Sequence, residues 1–267
     1  MTHRSLPVRR HPELSGPAQD AVAVEEPLEL RVEGTPLVVT MRTPGHDREL
    51  AAGWLYSEGL IDGADDLAAL AHVRDLQGMV KGAPDNVVDT RLASGARLQT
   101  GDLVSAQRST YASSSCGVCG LTRISELLKR SPPLDRPMQL PPERLCRLPG
   151  RMLDHQPTFQ ATGGLHAAAL FDIQGELLVV REDIGRHNAV DKVLGWALLN
   201  DAMPLSRHIL VVSSRAGFEI TQKALMARIP VLVAVGAPST LAVELARQAG
   251  MQLAGFARGG RCNEYSP

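Results

Sequence analysis

Two cysteines separated by two residues, Cys116 and Cys119, carry the most evident chemistry in this sequence. They lie in a segment dominated by small and polar residues over 101–120, a composition typical of a loop. A C-x-x-C motif can bind zinc, exchange disulfides as in thioredoxin, or carry sulfur as a persulfide. The structural alternative is two small buried residues in a turn, since free cysteine is among the most buried residue types.

Spacing and context favour sulfur transfer over the other two chemistries. A structural zinc site usually takes four ligands from two paired motifs, whereas Cys146 and Cys262 stand alone in the sequence. Thioredoxin-like redox chemistry needs the motif at a strand end within a βαβ unit, but this motif precedes the predicted parallel sheet. A persulfide carrier needs an accessible thiolate, which a mobile loop with Arg108 and Arg123 close in sequence would favour.

A zinc deaminase is the competing enzyme class, because His166 stands at a plausible point for a zinc ligand. Such enzymes carry H-x-E followed downstream by P-C-x-x-C. Here Ala168 occupies the position of the glutamate, and the downstream segment 213–216 contains no cysteine. We therefore expect neither deaminase chemistry nor a metal that belongs to the protein.

A second group of chemistry-bearing residues follows the predicted strands of the C-terminal half; it comprises Ser214, Arg215, Ser239 and Thr240. Hydroxyls bond phosphate oxygens, guanidinium groups pair with them bidentately, and a helix N-terminus adds a favourable dipole. Ligands of open α/β sheets bind beyond the carboxyl ends of the strands. The pattern indicates a phosphorylated or nucleotide ligand; the alternative is a set of ordinary strand–helix turns with their caps.

Hydrophobic periodicity predicts the elements that position these residues. Apolar runs predict strands over 165–171, 177–182, 208–213, 230–235 and 251–256. Helical spacing predicts helices over 142–155, 188–202, 217–228 and 239–249. Alternation of the two predicts an α/β class domain whose mainly parallel sheet is covered on both faces.

The sequence pattern of the N-terminal half predicts a smaller α+β unit. Residues 28–41 alternate around a Glu-Gly-Thr-Pro turn and predict a hairpin, followed by a helix over 46–58 and a strand over 86–92. We therefore predict a flexible tail over 1–25, a small N-terminal domain over 26–105, a mobile cysteine loop over 106–120 and a C-terminal domain over 121–267.

Composition excludes several functional classes. The 267 residues are 44% hydrophobic, enough for a sizeable core. With 28 Lys+Arg against 29 Asp+Glu, the net charge of −1 excludes a broadly basic nucleic-acid binder. No secretion signal and no run of about 18 apolar residues is evident, so we expect a cytoplasmic protein without a nucleic-acid or membrane partner.

Four segments together resemble the FdhD/NarQ family of sulfur carriers required for formate dehydrogenase activity: SSCGVCG at 114–120, TGGLHAA at 162–168, EDIGRHNAVDK at 182–192 and GFAR at 255–258. The resemblance covers about residues 25–265. It implies that sulfur passes from an IscS-like cysteine desulfurase to Mo-bis(molybdopterin guanine dinucleotide) before that cofactor enters formate dehydrogenase. Cys116 is then the persulfide carrier, and Cys119 assists it.

The resemblance also implies a cofactor-binding stretch: Phe256, Ala257, Arg258, Gly259, Gly260 and Arg261. It implies a homodimer and a C-terminal domain similar to the three-layer cytidine deaminase fold. The sequence departs from the family pattern at Gly259-Gly260, where a more constrained residue such as proline is expected. Capping and salt bridging are the alternative for 182–192, and His187 is either a structural residue or a proton relay.

Two other functions stay open at this point. One is a cofactor chaperone whose cysteines only hold the cofactor or a partner, and the other is a zinc-stabilised structural protein.

Overall fold

The computed structural model describes residues 1–8, 11, 18–73, 86–96, 127–128, 131–134 and 138–267. The predicted cysteine loop at 106–120, with Cys116 and Cys119, lies outside these residues. Twelve strands occur in the described part, namely β1 His3–Val8, β2 Ala18–Ala23, β3 Glu26–Val32, β4 Thr35–Arg42, β5 Leu67–His72, β6 Val87–Leu92, β7 His166–Asp172, β8 Leu177–Asp183, β9 His208–Val212, β10 Val231–Ala234, β11 Gln252–Arg258 and β12 Arg261–Ser266.

Seven α-helices accompany them over the same residues: α1 Asp47–Ser57, α2 Pro142–Leu145, α3 Leu148–Leu153, α4 Pro157–Thr162, α5 Arg186–Leu199, α6 Phe218–Met226 and α7 Thr240–Ala249. A short 3₁₀ helix spans Ala64–Asp66. None of the helices that the structure describes has the length and apolar character needed to cross a membrane.

The N-terminal unit is a four-stranded sheet in the order β4-β3-β6-β5, with α1 packed against it. The predicted hairpin is β3–β4, which turns at Glu33 and Gly34 with φ of 49° and 76°. Both residues are in the left-handed region that the two-residue hairpin turn requires. Leu28, Leu30 and Val32 alternate with exposed or half-buried residues and fill the core of this unit.

The C-terminal unit is a six-stranded sheet in the order β12-β11-β10-β9-β7-β8. The α/β class is confirmed, but the sheet is mixed rather than mainly parallel. β9, β10 and β11 are parallel, whereas β7 runs antiparallel to both β8 and β9, and β12 runs antiparallel to β11. Apolar strand runs cannot reveal this, because a strand buried on both faces reads the same in either direction.

Helices cover both faces of this sheet and give it three layers. On one face α5, α6 and α7 bury residues such as Val193, Ile220 and Leu245 against the strands. On the other face α2 and α3 bury Leu145 and Met152.

The two units meet where α1 crosses α5, and the backbones of the two helices are in close contact at Gly53 and Gly195. A Cβ added to Gly53 would lie 1.9 Å from the carbonyl oxygen of Asp191, and one added to Gly195 would lie 1.8 Å from that of Glu49. Since real Cβ atoms do not approach so closely, glycine at both positions is what permits this contact.

Two local predictions are wrong. Residues 1–25 are not a tail without regular structure, because β1 and β2 pair as an antiparallel hairpin. Most of its side chains are exposed, so no apolar alternation marks it in the sequence. The helix predicted over 142–155 is interrupted: it divides into α2 and α3, and Pro149 stands in the first turn of the second helix.

Candidate functional site at the carboxyl end of the sheet

Three helices begin at the end of the sheet where β9, β10 and β11 finish; we call this the carboxyl end. α5 follows β8, α6 follows β9 and α7 follows β10. Because β7 is antiparallel to its neighbours, its first residue, His166, reaches the same end and pairs with Asp183. Helix N-termini carry unpaired N–H groups and partial positive charge, so this arrangement suits an anion.

The connecting turns pack on one another through backbone hydrogen bonds. Gly236 N–H donates to the Ser214 carbonyl at 3.0 Å, and Phe256 N–H donates to the Gly236 carbonyl at 3.0 Å. A Cβ on Gly255 would lie 2.8 Å from the Pro238 side chain. The turns after β9 and β10 and the end of β11 therefore pack together at this end of the sheet.

The four predicted ligand-binding residues differ in exposure and in whether their side chains already form hydrogen bonds. Ser214 is buried, and its hydroxyl donates to the Arg215 carbonyl at 3.1 Å, whereas Arg215 is exposed. The Ser239 hydroxyl caps α7 by accepting from the N–H of Ala242 at 3.2 Å, and Thr240 is exposed beside it. The structure thus brings these four residues together, but it uses two of the hydroxyls to hold the turns.

The N-caps of α5 and α6 are different from that of α7. They are Gly185 and Gly217, which have no side chain to cap the first turn. Their first N–H groups face the carboxyl end without a capping oxygen, which makes them the better anion donors of the three helices.

The segment 256–261 forms the end of β11, a two-residue turn and the start of β12. Arg258 pairs with Arg261 across Gly259 and Gly260, whose φ values are 58° and 74°. Proline, with φ fixed near −65°, cannot occupy either position, so the expected constrained residue is excluded by the turn itself. The two glycines keep both arginine side chains, which are exposed, on neighbouring strands.

Within that segment the two apolar residues have opposite environments. Phe256 is 42% exposed with a φ of 52°, so a large ring projects from a left-handed backbone position. Ala257 is fully buried in the core beneath the sheet. Phe256 can therefore contact a ligand with its side chain, whereas Ala257 can contribute only its backbone.

Two histidines lie at the carboxyl end of the sheet, namely His166 as the first residue of β7 and His187 in the first turn of α5. His187 Nε2 is 2.8 Å from the Glu219 carboxylate, and this hydrogen bond is the main cause that lowers the pKa of Glu219. Burial, followed by the charges of Arg186 and His187, lowers the pKa of His166. His166 therefore favours the neutral form, as expected of a half-buried imidazole.

The segment 182–192 serves mainly to position the site. Glu182 accepts hydrogen bonds from the N–H groups of Thr158 and Phe159 at 3.1 and 2.7 Å, which caps α4. Asp183 and Lys192 form a fully buried ion pair at 2.7 Å. Capping and salt bridging both occur in this segment. Asp183 accepts locally from the N–H of Gly185 and the side chain of Asn188 at 2.8 and 3.0 Å, whereas Glu182 caps a helix that lies earlier in the chain.

A second buried pair, which the sequence analysis missed, joins α5 to α6 and α1. Asp191 lies 2.9 Å from Lys223 Nζ and accepts from the Ser57 hydroxyl at 2.9 Å. Burial, the leading cause, raises the pKa of Asp191, and Lys223 opposes that change. An Asp and a Lys on successive helices have no local spacing that would have indicated this contact.

Two cysteines, Cys146 and Cys262, belong to the described residues. Cys146 is buried immediately after α2, and Cys262 is half-buried in β12. Among the residues with described positions, no group of three or more His, Cys, Asp or Glu side chains is arranged to hold a metal ion.

Comparison with known proteins identifies the family of this chain. The model of the FdhD/NarQ family matches residues 23–267. The chain belongs to the FdhD/NarQ family. "Sulfur carrier protein FdhD" of Corynebacterium efficiens is 49% identical over 248 residues, covering 92% of this chain and 89% of that protein. The protein of the same name from Mycobacterium tuberculosis is 49% identical over 252 residues, covering 92% of this chain and 90% of its own.

A solved structure carries the same fold as this FdhD/NarQ family member. It comes from Desulfotalea psychrophila and is described as a formate dehydrogenase accessory protein. The TM-score is 0.73 at 23% sequence identity, with 99% of this chain and 96% of that chain covered. The family resemblance expected from the four sequence segments is thereby confirmed, together with its mixed α/β architecture.

Proposed function

We propose that this protein is a sulfur carrier that takes sulfur onto Cys116 as a persulfide and delivers it to the molybdenum cofactor of formate dehydrogenase. One combined observation carries the proposal. The family model matches residues 23–267, relatives about half identical to this chain are named sulfur carriers, and the chain contains the C-x-x-C pair at 116 and 119. A sulfur carrier needs one nucleophilic thiol, which this motif supplies.

Loading is a transfer between two sulfur atoms. The Cys116 thiolate attacks the outer sulfur of a persulfide on a cysteine desulfurase, and the sulfur–sulfur bond of the donor breaks. The donor cysteine leaves as a thiolate, and Cys116 becomes the persulfide. No external oxidant or reductant is consumed in this step.

Delivery of the sulfur as sulfide needs two electrons, and Cys119 can supply them. Its thiolate attacks the inner sulfur, that of Cys116, which forms the Cys116–Cys119 disulfide and releases the outer sulfur as hydrosulfide. The acceptor substrate is Mo-bis(molybdopterin guanine dinucleotide). Reduction of the disulfide by a cellular dithiol returns the carrier to its starting state.

The carboxyl end of the sheet is the surface that we assign to this acceptor. Phosphates of a guanine dinucleotide fit the uncapped N-termini of α5 and α6, and the exposed side chains of Arg258 and Arg261 add charge. The exposed ring of Phe256 is available to pack on a base. We further propose a cytoplasmic homodimer that takes sulfur from an IscS-like desulfurase and serves formate dehydrogenase.

Mass spectrometry of the loaded protein tests the carrier step. The full chain is incubated with a cysteine desulfurase and free cysteine without reductant, and its intact mass and peptides are then measured. We expect one added sulfur atom on the peptide that contains Cys116, and none in a Cys116→Ala variant. A Cys262→Ala variant is the matched control and should load like the parent.

Nucleotide binding by the same proteins separates this function from that of a cofactor chaperone. If the protein is a carrier, Cys116→Ala should lose loading but still bind GDP, since the residues assigned to the anion surface do not include Cys116. If neither parent nor variant gains sulfur from a competent donor, and both bind GDP, the protein is a chaperone and the carrier proposal fails.

A further inference from the structure

Two cysteines that the proposed function does not use are brought together by the fold. Cys146 follows the last residue of α2, and Cys262 is the second residue of β12. The carbonyl oxygen of Pro142 accepts from the backbone N–H of Cys146 at 2.9 Å and from the Cys262 thiol at 3.8 Å. Two residues far apart in sequence therefore share one acceptor atom.

The surrounding contacts fix the segment before α2 against β11 and β12. The Gln252 side chain accepts from Leu140 N–H at 2.8 Å and donates to the Leu140 carbonyl at 3.0 Å. The same amide nitrogen donates to Glu264 at 2.8 Å. These bonds hold the chain before α2 against β11 and β12, so the proximity of Cys146 and Cys262 is a property of packed elements.

The two thiols of the pair differ in their accessibility to solvent. Cys146 is 8% exposed, whereas Cys262 is half-buried and reachable from solvent. Burial, followed by a hydrogen bond with the Cys146 sulfur, raises the pKa of Cys262 to about 12. Exchange through Cys262 is therefore slow near neutral pH, but the disulfide, once formed, resists reduction because the Cys262 thiolate of the reduced form is not stabilised.

We propose that Cys146 and Cys262 are a second redox pair, which closes to an intrachain disulfide by exchange with a low-molecular-weight disulfide. The Cys262 thiolate first attacks the small disulfide and forms a mixed disulfide, releasing one small thiol. The Cys146 thiolate then attacks the Cys262 sulfur, which forms the intrachain bond and releases the second small thiol. Two cysteine thiols are oxidised and one small disulfide is reduced to two thiols.

Closure has a defined structural consequence, because Cys262 adjoins Arg261. The bond ties the start of β12 to α2 and thereby holds one strand of the turn that carries Arg258 and Arg261. It also closes a long loop of the chain, which restricts the unfolded state.

Peptide mapping under non-reducing conditions tests the proposal in the full chain carrying Cys116→Ser and Cys119→Ser. This background removes competing exchange and cannot carry sulfur, so the result is independent of the proposed function. After incubation with oxidised glutathione alone and trapping with an alkylating reagent, trypsin should release residues 145–147 disulfide-linked to residues 262–267. The intact mass should fall by two hydrogens, and the midpoint of thermal unfolding should rise by several degrees.

Single variants in the same background complete the test. Adding Cys146→Ser should leave a glutathione adduct trapped on Cys262, and adding Cys262→Ser should leave Cys146 largely unmodified. The proposal is overturned if the parent background keeps both thiols free in excess oxidised glutathione, or if it accumulates the Cys262 adduct with Cys146 free.

Discussion

Lys192 and Asp183 form an ion pair whose hydrogen bonds are all made inside the protein. Lys192 Nζ contacts Asp183 at 2.7 Å, the Thr43 carbonyl at 2.9 Å and the Glu182 carbonyl at 3.2 Å. Asp183 also accepts from the N–H groups of Thr43 and Gly185 and from the side chain of Asn188, at 3.2, 2.8 and 3.0 Å. Since every donor is used, removing one charge leaves the other buried without its partner.

Substitution of either member should therefore cost far more stability than loss of a surface pair. We expect Lys192→Met and Asp183→Asn each to lower the free energy of unfolding by about 3–5 kcal/mol. The double variant should lose less than the sum of the two, because it buries no unpaired charge. Urea unfolding of the three proteins measures these values.

Glu176→Gln is the matched control, because Glu176 is 70% exposed and pairs with Arg151 at 3.2 Å. Its expected cost is below about 1 kcal/mol. Additive losses in the Lys192 and Asp183 variants would show that the two charges are stabilised independently.

At the scale of elements, the crossing of α1 and α5 depends on Gly53 and Gly195. Each glycine backbone touches the facing helix, and a Cβ would overlap a carbonyl oxygen at 1.9 or 1.8 Å. We expect Gly53→Ala and Gly195→Ala each to destabilise the protein by more than the 1–3 kcal/mol typical of overpacking, despite the higher helix propensity of alanine. Thermal unfolding measures the loss.

Gly150 supplies the control for that experiment, since it lies within α3 and a Cβ there meets no atom within 4 Å. Gly150→Ala should stabilise by up to about 1 kcal/mol through helix propensity alone. Equal effects at all three glycines would contradict the proposed role of the crossing.

The elements themselves were largely predictable from sequence, whereas their arrangement was not. The strands predicted over 208–213 and 251–256 and the helix over 239–249 match β9, β11 and α7 within about two residues, because buried runs and a serine cap mark them. The antiparallel direction of β7 and the close crossing of α1 and α5 produce no local pattern in the sequence, so they could not be predicted from it. From the sequence alone, Gly195 is only a residue of low helix propensity. Its role becomes evident from the backbone of α1, which packs against it.

The candidate site also has features that the sequence predicts and features that it does not. The turns after the strands could be predicted from their small and polar residues, and the structure brings them together at one end of the sheet. Which hydroxyls are already used could not be predicted, because Ser214 and Ser239 look identical to free ligands in sequence. The buried charges of Asp191 and Lys223 depend on tertiary neighbours and carry no spacing signal.

At the scale of the whole molecule, buried and half-buried polar contacts join the two units. Asp191 of α5 bonds Ser57 of α1 and Lys223 of α6, and Arg181 of β8 pairs with Glu49 of α1 at 2.7 Å. Opening this interface would leave these side chains without their partners. The free energy required is larger than that for breaking a polar contact on the surface. The units should therefore unfold together.

The two tryptophans of the chain provide a direct test, because each reports one unit. Trp54 packs against the core of the N-terminal unit, and Trp196 packs against the large core of the C-terminal unit. In Trp54→Phe and Trp196→Phe variants, the fluorescence of the remaining tryptophan should follow a single urea transition that coincides with the loss of helical circular dichroism in the same protein. If the Trp54 signal changes at a lower urea concentration than the circular dichroism, α1 leaves α5 before the sheet unfolds, and the interface is weaker than its buried charges imply.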